Sequence, residues 1–219
     1  MSRRAALLAL VLAALPAAPA AAATTRTSYT PAQIRAYHDS GRWARDVARV
    51  FSSARRSLLR QLDRPSAARR PAAVVLDIDE TSLSNYPCLD EADFNVAVGL
   101  GTCVGQGRSV AIPAARRFVQ AAQKRRVAVF FITAAPENLE ASRRANLRKA
   151  RFRGRFTVIG RPATVSTEPS QVPYKSGERG RIERRGYRIL VNVGDQRTDL
   201  AGGHARAKFL VPNRIYVTS

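Results

Sequence analysis

VVLDIDETSLSNYP, residues 74–87, is an apolar run that ends in two carboxylates, Asp77 and Asp79. The run is nearly continuous from Ala73 to Ile78, the pattern of a short strand buried on both faces. In an extended segment positions i and i+2 lie on one side, so the two carboxylates project together from the mouth of the strand. Like charges held that close repel unless a cation or a proton intervenes. A divalent ion removes the conflict, and oxygen-only ligands suit magnesium. One carboxylate is then free to attack and the other to move a proton. The competing reading is an exposed acidic turn that caps the next helix. A bare Asp-x-Asp separates the two poorly, whereas Asp-x-Asp-Glu-Thr directly after a hydrophobic strand favours the first.

Working outward, the same texture repeats downstream. Residues 113–126 read as a helix, 127–132 as a second buried strand, 137–150 as a helix and 156–159 as a third strand. A helix over 175–185, a strand over 189–193 and a further strand over 208–211 follow. Upstream, Thr30-Pro31 is a helix start, with threonine as cap and proline at the first helical position. Apolar residues from Ile34 to Leu62 recur at helical spacing, giving one or two helices over 31–62 with Gly41 as a break; residues 63–71 read as a linker. Strands alternating with helices predict an α/β fold, a doubly wound parallel sheet covered on both faces. In such sheets ligands bind at the carboxyl ends of the strands. Asp77 and Asp79, Thr133, and Gly194-Asp195 all fall there, on three separate segments.

With those residues in hand, the chain resembles the haloacid-dehalogenase superfamily, in the branch of bacterial secreted (class IIIB) and plant vegetative-storage-type acid phosphatases. DIDETSLSNYP is similar to its first motif, VFFITAAPE (129–137) to its second, YKSGER (174–179) to its lysine-bearing third and VGDQRTDL (193–200) to its acidic fourth. Asn146-Leu147 also fits that branch. The resemblance implies a Rossmann-like haloacid-dehalogenase fold with a small helical cap, formed by 31–62 and 84–110, on a single domain covering 24–219. It implies Asp77 as a nucleophile that becomes phosphorylated and Asp79 as the acid and base. It implies Thr133 and Lys175 as phosphate-binding groups, and Mg2+ held by Asp77, Asp79 through its backbone carbonyl, and Asp195. Asp199 would act through water or orient Lys175. Simpler roles compete: Thr133 as a helix cap, Lys175 as a solvated lysine, Asp195 in a Gly-Asp turn, Asp199 as a cap. Relatives often carry Gly-Arg after the second-motif threonine, whereas this chain has Ala134-Ala135, one cation fewer near the substrate. The substrates implied are small phosphomonoesters. The alternatives are a selective nucleotidase, or a catalytically weak basic protein that binds phosphate or nucleic acid.

The remaining features bear on location and partners. Arg3 and Arg4, the apolar run from Ala5 to Leu15 and the small residues Ala21 to Ala23 have the order of a secretory signal peptide over 1–23, so the protein is expected in the cell envelope or outside it. The run is too short to span a bilayer. The formal charge is +21, and only Lys124, Lys149, Lys175 and Lys208 among the 37 basic residues are lysine. The arginines are scattered, the mark of biased composition more than of a nucleic-acid motif. Cys88 and Cys103 are disulfide candidates in an oxidising compartment, two free thiols being the alternative. With His38 and His204 far off in sequence, they make no zinc pattern. Tyr86 and Phe94 either line an entrance or pack.

Overall fold

The computed structural model describes residues 24–64, 70–166 and 170–218. The expected signal peptide and most of the 63–71 linker fall outside those residues.

The chain enters through strand β1 (Thr24–Arg26) and then turns into helix α1 (Pro31–Asp39). Thr30 and Gln33 cap α1 reciprocally. The Gln33 amide donates to Thr30 Oγ1 at 3.3 Å, and the Thr30 amide to Gln33 Oε1 at 2.9 Å. Gly41, at φ 71°, takes the left-handed turn that breaks α1 from helix α2 (Arg42–Leu62). Val47, Phe51, Ala54 and Leu58 recur every three or four residues along α2, and all are buried.

Strand β2 (Ala72–Leu76) is the expected first strand and leads to the short strand β3 (Leu83–Ser84). Helices α3 (Tyr86–Glu91) and α4 (Val96–Gln106) follow, then strand β4 (Val110–Ala111), which pairs antiparallel with β3. Helix α5 (Pro113–Lys124) precedes strand β5 (Ala128–Pro136). β5 was expected over 127–132 but runs to Pro136, with its pairing to the next strand irregular after Ile132. A 3-10 turn (Glu137–Leu139), helix α6 (Glu140–Lys149) and strand β6 (Thr157–Arg161) come next. Helix α7 (Val172–Arg184), strand β7 (Arg188–Gly194), helix α8 (Arg197–Leu200), and strands β8 (Ala207–Leu210) and β9 (Tyr216–Thr218) complete the order.

Five strands form one parallel sheet in the order β6-β5-β2-β7-β8. The side chains of β2 alternate between two cores. Val74, Leu76 and Ile78 pack with α2, α5 and Leu147 of α6, while Ala73 and Val75 pack with Tyr174 and Ile182 of α7. The result is the doubly wound α/β arrangement, helices on both faces. The 31–62 segment divides between two roles. Helix α2 covers the sheet, whereas Ile34 of α1 joins Leu89, Phe94 and Val96 in a separate small core.

The stretch 24–28 reads in the sequence as a flexible terminus, and the structure corrects that reading: β1 pairs antiparallel with β9, Thr24 opposite Thr218 and Arg26 opposite Tyr216. Three-residue strands carry no period, so only their distant partner reveals them.

Candidate active site

The carboxyl ends of β2, β5 and β7 bring the expected residues into one cleft of about 190 Å3. Asp77, Asp79, Thr133, Lys175, Asp195 and Asp199 all line it. Asp77 leaves β2 with its amide donating to the Val193 carbonyl at 2.9 Å, while its own carbonyl accepts from Ser82 Oγ at 2.7 Å. The backbone is thereby fixed on both sides of the side chain.

Lys175 occupies the floor. Its ammonium donates to Asp77 Oδ1 at 2.5 Å and to the Ile132 carbonyl at 3.0 Å, and it meets Asp199 Oδ1 at 3.0 Å. Three donors meet three acceptors, so the buried cation is saturated. Burial pulls its pKa down, but Asp199 and Asp77 outweigh burial and raise it. Asp199 is held in turn by the Gln196 amide on Oδ2, at 2.9 Å. It therefore contacts Lys175 through one oxygen and the amide at the start of α8 through the other. Gly194 admits this approach, because a Cβ there would stand 2.3 Å from the Asp199 Cβ.

Asp195 accepts from Thr81 Oγ1 at 2.8 Å, Gln196 Nε2 at 2.5 Å and Asn213 Nδ2 at 2.8 Å. Neither Thr81 nor Asn213 was singled out in the sequence. Thr81 lies in the quoted first motif, while Asn213 sits in an unpatterned loop. Burial and then Asp199 push Asp195 up to about 7. Burial, with Asp199, Asp195 and Asp79 adding to it against Lys175, pushes Asp77 well above the usual carboxylate range. Glu80, in the left-handed region at φ 54°, is likewise pushed up to about 7 by burial.

Carboxyl oxygens of Asp77, Asp195 and Asp199 lie within 4.8 Å of one another. One ammonium, paired with Asp77 and Asp199, stands against these three buried acids, so the cluster carries surplus negative charge when ionised. An all-oxygen donor set with that surplus fits a hard divalent cation. Asp77 has the freer carboxylate, since only its Oδ1 accepts from Lys175, whereas both oxygens of Asp195 and of Asp199 are already engaged.

Thr133 is buried, and its Oγ1 accepts from the Ala135 amide at 3.2 Å. The hydroxyl proton is left to donate towards the cleft. Asp79 Oδ1 accepts from Asn85 Nδ2 at 2.9 Å and from Arg143 Nη2 at 2.5 Å. Asn85 belongs to the first motif, whereas Arg143 was passed over because it sits in the run SRRANLRK, which looks solvent-facing.

A disulfide ties Cys88 of α3 to Cys103 of α4, with Cα atoms 5.7 Å apart. Leu100 and Val104 of α4 reach the cleft. Tyr86 stacks on His38, ring centroids 3.5 Å apart, and Phe94 is fully buried. Both aromatics thus pack.

Among known proteins, residues 2–219 match the family described as HAD superfamily, subfamily IIIB (Acid phosphatase). A Stem 28 kDa glycoprotein of Glycine max is 29% identical over 148 residues, covering 65% of this chain and 58% of that protein. Acid phosphatase 1 of Solanum lycopersicum is 29% identical over 153 residues, covering 65% and 57%. The chain thus spans little more than half the length of these curated relatives. The solved class C acid phosphatase from Bacillus anthracis shares the fold, with a TM-score of 0.67 at 16% identity over 83% of this chain and 82% of that one.

Proposed function

The chain belongs to subfamily IIIB of the HAD superfamily, the acid phosphatases, and we propose on that premise that it is an exported, magnesium-dependent acid phosphatase. It hydrolyses small phosphomonoesters through an aspartyl-phosphate on Asp77. The observation that carries the reading is the buried Lys175 ammonium shared by Asp77 and Asp199, in a cleft where Thr133 keeps a hydroxyl proton to donate.

Lys175 holds Asp77 Oδ1, so the carboxylate presents a fixed edge to the phosphorus. In the first displacement an Asp77 oxygen forms the new P–O bond, and the bond from phosphorus to the alcohol oxygen breaks. Asp79 gives that oxygen its proton, and the alcohol leaves. In the second, a water oxygen attacks the phosphorus and Asp79 takes the proton from the water. The Asp77 carboxylate and inorganic phosphate are released. Thr133 donates to a phosphoryl oxygen, and Lys175 balances negative charge on Asp77 and the transferred group. A bound divalent cation, held by Asp77, the Asp79 carbonyl and Asp195, supplies charge neutralisation at the same place.

In this reading α1, α3 and α4 are the cap. It offers Leu100 and Val104 to the alcohol portion but supplies no charged side chain to the cleft, which fits a broad range of small phosphomonoesters. Export rests on the signal-like residues 1–23. No helix among the described residues is long and apolar enough to cross a membrane.

The test is phosphate release from p-nitrophenyl phosphate, with magnesium or with chelator, by the wild type and by Asp77→Asn. Turnover that needs magnesium and drops to background in a folded Asp77→Asn protein is expected. Turnover in the variant close to the wild type would remove Asp77 as nucleophile.

A further inference from the structure

Arg143 is out of keeping with its surroundings. Helix α6 carries exposed or half-buried arginines and a lysine, yet the Arg143 side chain is only 1% exposed. Nη2 donates to Asp79 Oδ1, while Nε and Nη1 are buried with no hydrogen-bond partner among the described residues. Burying a guanidinium costs several kcal/mol, and each unpaired donor adds to that cost. The single ion pair to Asp79 is what offsets it. The packing of α6 needs no charge at this position, because Leu147 one turn on already anchors the helix in the core. Its one strong contact is with the acid/base carboxylate.

The contact is also directional. Arg143 and Asn85 both donate to Oδ1, and Oδ2 of Asp79 accepts nothing among the described residues. Asn85 is itself fixed, its amide donating to Glu80 Oε1 at 2.7 Å and its Oδ1 accepting from Ser109 Oγ at 2.6 Å. With Oδ1 pinned by two rigid donors, the proton in transit belongs on Oδ2. Across the cleft, Ala134 and Ala135 follow Thr133 and bring no cation.

We propose that Arg143 is a positioning residue for Asp79. From α6 it supplies the second cation of the site, in place of one that residues 134 and 135 do not provide, and it holds Asp79 so that Oδ2 faces the departing alcohol oxygen. The inference rests on the reading of Asp79 as the proton donor to the leaving group.

The test compares two substrates in the full chain. One is 2,4-dinitrophenyl phosphate, whose leaving group needs no proton, and the other is glycerol phosphate, whose leaving group does. Asp79→Asn sets the reference, with a large loss on glycerol phosphate and a small one on the dinitrophenyl ester. Arg143→Met is expected to repeat that pattern. Its kcat on glycerol phosphate falls on the order of 10- to 100-fold, the loss typical of a misplaced group, while the dinitrophenyl ester and both KM values change by less than about threefold. Its melting temperature changes little, because the Asp79 side chain left behind is part-exposed and keeps its hydrogen bond from Asn85. Arg143→Lys, which keeps a cation, recovers part of the lost kcat on glycerol phosphate. Equal losses on both substrates, or a lowered melting temperature with wild-type kcat, would make Arg143 a structural residue and overturn the proposal. If Asp79→Asn shows leaving-group dependence and Arg143→Met does not, the inference falls alone. If Asp79→Asn shows none, the role of Asp79 falls and takes the inference with it.

Discussion

Stripping the protein of divalent metal should make its stability fall as pH rises through the weakly acidic range, and magnesium should reverse the trend. Asp195 gives the least contribution to expect, since Asp77, pushed well above the usual carboxylate range, acts in the same direction. Burial, with Asp199 next, pushes Asp195 up to about 7 in the folded protein, whereas an unfolded aspartate titrates near about 3.9. Between those values the folded state keeps a proton that the unfolded chain has released. Raising the pH there favours unfolding by about 1.4 kcal/mol per unit. From about pH 5 to about pH 7, with Asp195 half titrated at the upper end, this amounts to roughly 2 kcal/mol for Asp195 alone. Glu80, also pushed up to about 7 by burial, acts in the same direction. Lys175 is raised above an already basic value and contributes no change in this window. For a domain of this size about 2 kcal/mol corresponds to a melting temperature lower by roughly 4–8 °C. Free magnesium at about a hundred times its Kd would restore about 2.7 kcal/mol. The assay is thermal unfolding by circular dichroism in chelator at the two pH values, repeated with magnesium. A chelated melting temperature that stays level or climbs from pH 5 to pH 7 would refute the crowded-carboxylate account of the site.

Two further outcomes follow from contacts already described. Lys175→Met should lower kcat at least about a hundredfold, as removal of a preorganised charge partner does, and should destabilise the chelated protein by about 3–5 kcal/mol by leaving Asp77 and Asp199 unpaired; steady-state kinetics and urea unfolding read the two effects. Replacing Cys88 and Cys103 together by alanine should cost about 3 kcal/mol, the estimate for a loop of about 15 residues; an unchanged urea midpoint would show that the bridge contributes nothing to stability.

The strands that carry the site were legible because burial on both faces leaves little room for polar residues. VVL before Asp77, VFFI before Thr133 and ILVNV before Gly194-Asp195 could hardly be anything else. The individual helices within 84–110 were hidden for the opposite reason. VAVGLGTCVG in α4 is rich in glycine and β-branched residues, which are poor helix formers. It is helical through its tertiary setting. Asn95 caps it, the disulfide ties it to α3, and Gly99 lets α3 approach so closely that a Cβ there would stand 2.8 Å from Leu89. Lys175 could be found by motif, since its neighbours in sequence announce it. Arg143 could not, because its burial is decided by where α6 lands against Asp79, sixty-four positions earlier in the chain. Asn213 was equally out of reach, being a loop residue made relevant only by its hydrogen bond to Asp195.

The ladder between β1 and β9 sets an order of assembly. Residues 24–26 meet residues 216–218 across about 190 positions of chain, and closing a loop of that length in an unfolded chain costs several kcal/mol of entropy. A ladder of three residues a side cannot meet that cost unaided. It closes only after the parallel sheet has brought the two segments near each other. Tyr216 and Thr218 of the late strand wall the cleft, and Gln196 bonds to both, accepting from the Thr218 amide at 3.1 Å and donating to the Tyr216 carbonyl at 3.3 Å. Refolding should therefore pass through a species whose sheet is complete but whose cleft is open on this side. In amide exchange the same ribbon should be the first part of the site to lose protection, while β2, β5 and β7 keep theirs.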